Sequence, residues 1–141
     1  PVETKRCVVK LDEKKAAKKT ARWQQIAESA AKQSKRMLIP KIHEVMSFQD
    51  ALKLAEELDI RLIPYELAEG MKETKAILDQ VKPGMRVGIF IGPEGGFADA
   101  EIAALRALPQ PAEIVSLGKI ILRTETAGMA ALAMIMYAYE L

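Results

Sequence analysis

At 141 residues, half of them apolar and 28% charged, the chain is long enough for one globular domain, which excludes a disordered tail, a collagen-like repeat and a disulfide scaffold. A single cysteine, Cys7, and a single histidine, His43, leave a disulfide without a second thiol and a Cys/His zinc site short of ligands. The net charge of +2 hides an asymmetry: residues 1–41 hold twelve Lys/Arg against four Asp/Glu, and the remaining residues hold nine against fifteen.

The chain opens on a short β-like run at Arg6-Cys7-Val8-Val9. Lys14 to Arg36 then reads as a helix, with Trp23, Ile26, Ala27, Ala30 and Ala31 at helical spacing on one side. Lysines crowd its first turns and oppose the macrodipole, so they are not there for helix stability. A basic arm on an acidic body suits a polyanion such as RNA or DNA; a lysine-rich solvated helix face is the alternative. With aromatic residues at 5%, no stacking platform for single-stranded bases is visible, and Trp23 reads as core. Cys7 and His43 read as structural.

Ile39-Pro40-Lys41-Ile42 is a short extended piece, and Ser47 caps a helix whose stripe is Phe48, Ala51, Leu52, Ala55 and Leu58. A strand spans Ile60 to Tyr65. A weaker helix follows from Glu73 to Val81, closed by Lys82-Pro83-Gly84. Val87-Gly88-Ile89-Phe90-Ile91 is the clearest strand, apolar throughout as a central parallel strand should be. A helix from Asp99 to Leu108, a strand from Glu113 to Leu117 and a last helix from Thr124 complete the order. Strands and helices alternate, so the expected fold is α/β, one domain with a parallel sheet covered on both faces.

Ligands of such sheets bind beyond the carboxyl ends of the strands. Three loops lie there: Tyr65-Glu66, Gly92-Pro93-Glu94-Gly95-Gly96, and Leu117 to Arg123. The glycines allow a ligand to approach the backbone closely, although a glycine-rich turn alone is as readily a tight connection. It is neither a Walker loop nor GxGxxG. Arg123 and Glu125 sit between an apolar turn and an apolar helix, where charges are costly unless paired or used. An Arg123–Glu125 pair capping the helix is the structural alternative. From Ala127 to Ala138 nearly every residue is small or apolar, so this helix is buried within the domain or, better for a domain of this size, across a dimer interface. The apolar stretch Ala127 to Tyr139 is too short to span a bilayer, and a soluble, cytoplasmic domain is expected.

Ile91-Gly92-Pro93-Glu94-Gly95-Gly96-Phe97, followed by Leu117-Gly118 and Ile121-Leu122-Arg123-Thr124-Glu125-Thr126-Ala127, resembles the signature of the ribosomal RNA small subunit methyltransferase E family. This family belongs to the SPOUT class of knotted methyltransferases. Val8-Val9-Lys10, Arg22-Trp23, Ile39-Pro40, Pro64-Tyr65-Glu66 and the Gln33-Ser34-Lys35-Arg36 string match as well, so the resemblance spans essentially the whole chain. It implies an S-adenosylmethionine-dependent enzyme that methylates N3 of a uridine in 16S (small-subunit) ribosomal RNA. It further implies a C-terminal trefoil knot, an exception to the rule that chains avoid knots, and a homodimer packed through the last helix. The cofactor would be held by Tyr65, Glu66, Ile91, Gly92, Pro93, Glu94, Gly95, Gly96, Leu117, Gly118, Ile121, Leu122, Arg123, Thr126 and Ala127.

Uridine N3 must lose its proton, and Arg123 is the candidate for stabilising the uracil anion, with Glu125 orienting it or acting at the helix start. The family carries a PUA-like RNA-binding domain and then a strand and helix ahead of the part matched here. This domain is therefore expected to lack all three and to bind RNA less tightly. Two departures stand out. Ala98, three residues before Glu101, lacks the usual capping hydroxyl, at a cost of about 1 kcal/mol, with Asp99 a partial substitute. Lys35 replaces a residue that is often glycine or another small residue. A non-catalytic RNA-binding module and a ribose 2′-O-methyltransferase are the competing readings.

Overall fold

The computed structural model describes residues 1–7, 11–65 and 70–140, with the backbone alone at Glu140. Its elements begin with β1 (Val2–Glu3), α1 (Glu13–Gln33), β2 (Met46–Ser47), α2 (Phe48–Glu56) and β3 (Ile60–Pro64). They continue with α3 (Met71–Leu78), β4 (Val87–Ile89), α4 (Asp99–Arg106), β5 (Glu113–Val115) and α5 (Thr124–Glu140).

All the strand pairs are parallel. β4, β3 and β5 form one sheet in that order, with Ile60 opposite Val87 and Leu62 opposite both Ile89 and Glu113. Both faces are covered, and the alternation of side chains along β3 explains how. Ile63 faces a cluster with Ala55 of α2 and with Phe97, Ile102, Leu105, Leu108 and Ala112 on and around α4. Its neighbour Leu62 faces the other way, onto Leu78 and Val115, with Ile77 of α3 and Met134 and Ile135 of α5 packed against them. The α/β reading with a parallel sheet is therefore right.

The ends differ from the expected ones. Among the described residues the first pairing is that of β1 with β2, through Val2–Met46 and Glu3–Ser47. Arg6 and Cys7 lie in no strand, and Val8 and Val9 fall outside the described residues. The segment Ile39–Ile42 forms no strand, and the pairing comes later, at Met46. Ser47 is the cap of α2, its hydroxyl accepting the Asp50 N–H at 3.1 Å. The Lys53 ammonium and the Ser47 hydroxyl, both hydrogen-bonded to Asp50, hold that carboxyl below the usual range.

α1 starts at Glu13, capped by Asp12, whose carboxylate accepts the Lys15 N–H at 2.8 Å. Two acidic groups at the positive end thus partly offset the lysines that follow. The expected stripe is only half-used: Ala31 is buried and Trp23 half-buried, but Ile26 is 56% exposed.

The helix ends in a Schellman motif, with the Arg36 N–H donating to Ala31 O at 2.9 Å and the Lys35 N–H to Lys32 O at 3.2 Å. Lys35 occupies the left-handed position at φ 56°, which gives a physical reason for a glycine there. Lys35→Gly is expected to stabilise the chain by about 1 kcal/mol. A rise in the urea midpoint with an unchanged slope would show it; no change would mean that Lys35 is unstrained.

Candidate active site

Because the three central strands run the same way, the segments leaving β3, β4 and β5 emerge on one edge of the sheet. They meet around a cavity of about 390 Å³, within the range of small-molecule sites. Its wall contains Tyr65 after β3, the run from Ile91 to Phe97 after β4, and the run from Leu117 to Thr124 after β5, with Ala127 from α5. Of the residues proposed from the resemblance, the structure brings together Tyr65, Ile91, Gly92, Pro93, Glu94, Gly95, Gly96, Leu117, Gly118, Ile121, Leu122, Arg123 and Ala127. Glu66 lies outside the described residues. Thr126 and Glu125 are exposed on the first turn of α5 and do not line the cavity.

Each loop is fastened from below. Tyr65 donates its N–H to Val115 O at 3.1 Å, carrying the β3–β5 pairing to the cavity rim. The start of the third loop is set by Thr74 of α3, a buried hydroxyl that accepts the Ser116 N–H at 2.8 Å and donates to Gly70 O at 3.1 Å. Beyond it the Gly118 N–H reaches Ser116 Oγ at 3.2 Å, with Gly118 at φ 117°, a conformation that side chains rarely permit. The Thr124 hydroxyl donates to Gly92 O at 3.4 Å and links the third loop to the second.

The second loop is tight. The Gly96 N–H turns back to Pro93 O at 2.7 Å. A Cβ on Gly92 would stand 3.0 Å from Phe97 N and 3.2 Å from the Gly96 carbonyl carbon, so any side chain there would press on the loop's own backbone and push it outward. Gly95 is roomier; a Cβ there would make ordinary contact with Arg6 at 3.5 Å.

Three features were not foreseen. Glu101, only 4% exposed, accepts the Ala98 N–H and the Lys5 N–H, both at 2.8 Å. The start of α4 is thus served by Glu101 rather than by Asp99, and the missing hydroxyl at Ala98 leaves half of a capping box in place. Arg6 donates from Nη1 to Gly95 O at 2.9 Å and covers the glycine loop. The i,i+3 spacing of Ala98 and Glu101 signalled the first contact, whereas no local signal marks the two reaching across from Lys5 and Arg6. Lys119, Ile120 and Thr124 also line the cavity.

Arg123 is exposed, lines the cavity and forms no ion pair with Glu125 among the described residues. The alternative reading, a capping pair, is therefore not realised. Nor is α5 buried on all sides: Ala131, Met134 and Ile135 face inward, and the opposite side is open. Met129 is 65% exposed, and Leu132, Met136 and Tyr137 are exposed beside it. No group of three or more His, Cys, Asp or Glu residues among the described ones could hold a metal ion, and no described helix is long and apolar enough to cross a membrane.

A family model described as an RNA methyltransferase domain matches residues 1–136. The ribosomal RNA small subunit methyltransferase E of Bacillus subtilis is 41% identical over 144 aligned residues, covering all of this chain and 56% of that protein. The protein of the same name from Mycobacterium tuberculosis is 34% identical over 128 residues, covering 90% of this chain and 48% of its own length. The chain spans about half the length of the curated relatives it matches. Among solved structures, a ribosomal RNA small subunit methyltransferase E from Neisseria gonorrhoeae bound to S-adenosylmethionine superposes with a TM-score of 0.78 at 32% identity, covering 99% of this chain and 54% of that one. A Legionella pneumophila structure in complex with the same cofactor gives 0.85 at 32% identity, with the same coverage of each chain.

Proposed function

Because the chain belongs to the RNA methyltransferase domain family, we propose that it transfers the methyl group of S-adenosylmethionine to N3 of a uridine in small-subunit ribosomal RNA. The observation that carries this reading is the cavity at the carboxyl edge of the sheet, bounded by three backbone-rich loops that pack closely around Gly92. It has the size of a small-molecule site, and similar chains at 32% identity hold this cofactor in solved structures. Tyr65 and Ile91 to Gly96 would form one wall around it, with Leu117, Gly118, Ile121, Leu122 and Ala127 opposite. Glu66 and Thr126 belong to the same proposal on the resemblance alone.

When bound, the cofactor supplies an electrophilic methyl group. The bond from sulfur to that carbon breaks as the bond from uridine N3 forms, and the N3 proton leaves to solvent or to a base. The protein's part is to hold nucleophile and methyl group in line and to stabilise charge on the uracil. Arg123 has the reach for the second task, since it is exposed at the cavity wall and forms no ion pair among the described residues. Glu125, in the first turn of α5, has its charge at the favourable end of the helix dipole, and we assign it to the helix start. Threading of the Leu117–Arg123 segment into a trefoil knot and pairing of two chains through α5 belong to the same proposal. The apolar face of Met129, Leu132 and Met136, at i, i+3 and i+7, supports the pairing.

Single-turnover transfer of labelled methyl to small-subunit ribosomal RNA, followed by nucleoside analysis, tests the reading. The expected product is 3-methyluridine, with Arg123→Ala slower by about 100-fold under saturating cofactor and RNA. A label recovered on ribose oxygen would overturn the N3 assignment. A wild-type rate in Arg123→Ala would overturn the role of Arg123.

A further inference from the structure

We propose that the exposed face of α1 carrying Lys14, Lys18, Lys19 and Arg22 is a phosphate-tracking surface for RNA on its way to the cavity. Naming RNA as the polyanion rests on the methylation reading above; the surface itself rests on geometry and charge.

At 3.6 residues per turn, Lys14, Lys15, Lys18, Lys19 and Arg22 fall on an arc of about 140° on one side of the helix. All five are exposed. The packed side, with Ala31 buried and Thr20, Ala27 and Trp23 half-buried, lies roughly opposite. Lys15 is occupied by Asp12 at 3.1 Å, which leaves four cations without a carboxylate in reach among the described residues. Glu13 and Glu28 fall outside the arc.

Such a face costs the helix stability. Lys14, Lys18 and Arg22 are spaced i,i+4, where like charges repel by about 0.2–0.5 kcal/mol per pair, and Lys14 sits in the first turn, at the positive end of the dipole. An ordinary solvated face would alternate signs at those spacings. A cluster that opposes its own helix is explained by an anionic partner that neutralises it.

Its position suits a substrate bound for the cavity. Arg6 is fixed to the glycine loop through Gly95 O, and Lys5 to the start of α4 through Glu101. Eight residues separate Arg6 from Lys14, a span of at most about 29 Å, so the face begins within a few nucleotides of the cavity rim. From Lys14 to Arg22 it extends about 12 Å along the helix.

The test is the salt dependence of binding between the 141-residue chain and a labelled single-stranded oligonucleotide of small-subunit ribosomal RNA sequence. Four phosphate contacts contribute about −2.8 to the slope of log K against log salt, or roughly a 50-fold loss of affinity between 50 and 200 mM. The variant Lys14→Gln, Lys18→Gln, Lys19→Gln, Arg22→Gln is expected to lose that part of the slope, with a melting temperature equal to or slightly above that of the wild type. A charge-matched control, Lys53→Gln, Lys72→Gln, Lys75→Gln, Lys82→Gln, is expected to retain it. An unchanged slope in the first variant, or an equal loss in the control, would overturn the proposal. Titration of the wild-type chain with S-adenosylhomocysteine reads the methylation proposal separately: no binding there, with the slope difference intact, would overturn methylation and leave the surface standing.

Discussion

Arg61→Met is expected to destabilise the chain by about 3 kcal/mol and to lower its melting temperature by roughly 10 °C. Arg61 sits in the central strand at 2% exposure. Its guanidinium donates from Nε to Ala55 O at 2.6 Å, from Nη2 to Glu56 O at 3.1 Å and to Leu58 O, and from Nη1 to Gln110 Oε1 at 3.2 Å. Two of these acceptors, Ala55 O and Glu56 O, are carbonyls at the end of α2, where a cation also meets the negative pole of the helix, and Leu58 O lies just beyond it. Methionine keeps most of the stem and none of the donors, so those carbonyls would lose their partner in a largely dry place. Arg61→Lys should recover only part of the loss, because one ammonium cannot serve a fork of acceptors. Urea unfolding decides it, and a midpoint within error of wild type would mean that water replaces the guanidinium without cost.

The second large effect is at Gly92. Gly92→Val places a branched side chain where the first carbon alone already stands 3.0 Å from a backbone nitrogen and 3.2 Å from a backbone carbon of the same loop. Neither atom can swing away as a side chain would, so the loop must open. Overpacking of this kind costs roughly 1–3 kcal/mol. Where ligand binding requires the closed loop, that converts to a loss of affinity of about 10- to 100-fold for S-adenosylhomocysteine. Far-UV circular dichroism should be unchanged, since the loop lies beyond the end of β4. Gly95→Val is expected to do less, because its space is bounded by the movable Arg6 side chain. Equal effects at the two glycines would contradict the distinction.

The parts of the molecule visible in the sequence are those with local causes. Ser47 announces α2 through a hydroxyl three residues before Asp50, and the apolar run at Val87 announces a strand, although among the described residues β4 lies at the edge of the sheet and β3, not β4, is central. The three loops follow from strand direction alone, and they do converge on one cavity. The parts that stayed hidden have causes far away in the chain. Nothing around Lys5 or Arg6 indicates that they reach Glu101 and Gly95, ninety-six and eighty-nine residues on. Arg61 interrupts an apolar strand and was passed over, although a charge in such a place is itself a sign that partners exist. Strand and helix ends moved by a few residues because pairing, rather than composition, sets them: the β3–β4 register ends with Ile89 opposite Leu62, and the last bond between them is the Phe90 N–H to Leu62 O at 2.8 Å. The apolar composition of α5 suggests a helix without a solvent face, whereas the single chain leaves Met129 and Tyr137 exposed. The lysines of α1 were legible as charge, but only the helix geometry showed that four of them share one exposed arc.

The central claim is that the cavity between the Ile91–Phe97 and Leu117–Thr124 loops takes S-adenosylmethionine. Calorimetric titration of the wild-type chain with S-adenosylhomocysteine tests it most directly. The account predicts saturable heat with one site per chain, weakened in Gly92→Val and unchanged when the four cations of α1 are replaced by glutamine. Absence of binding by a chain whose circular dichroism shows it folded would contradict it.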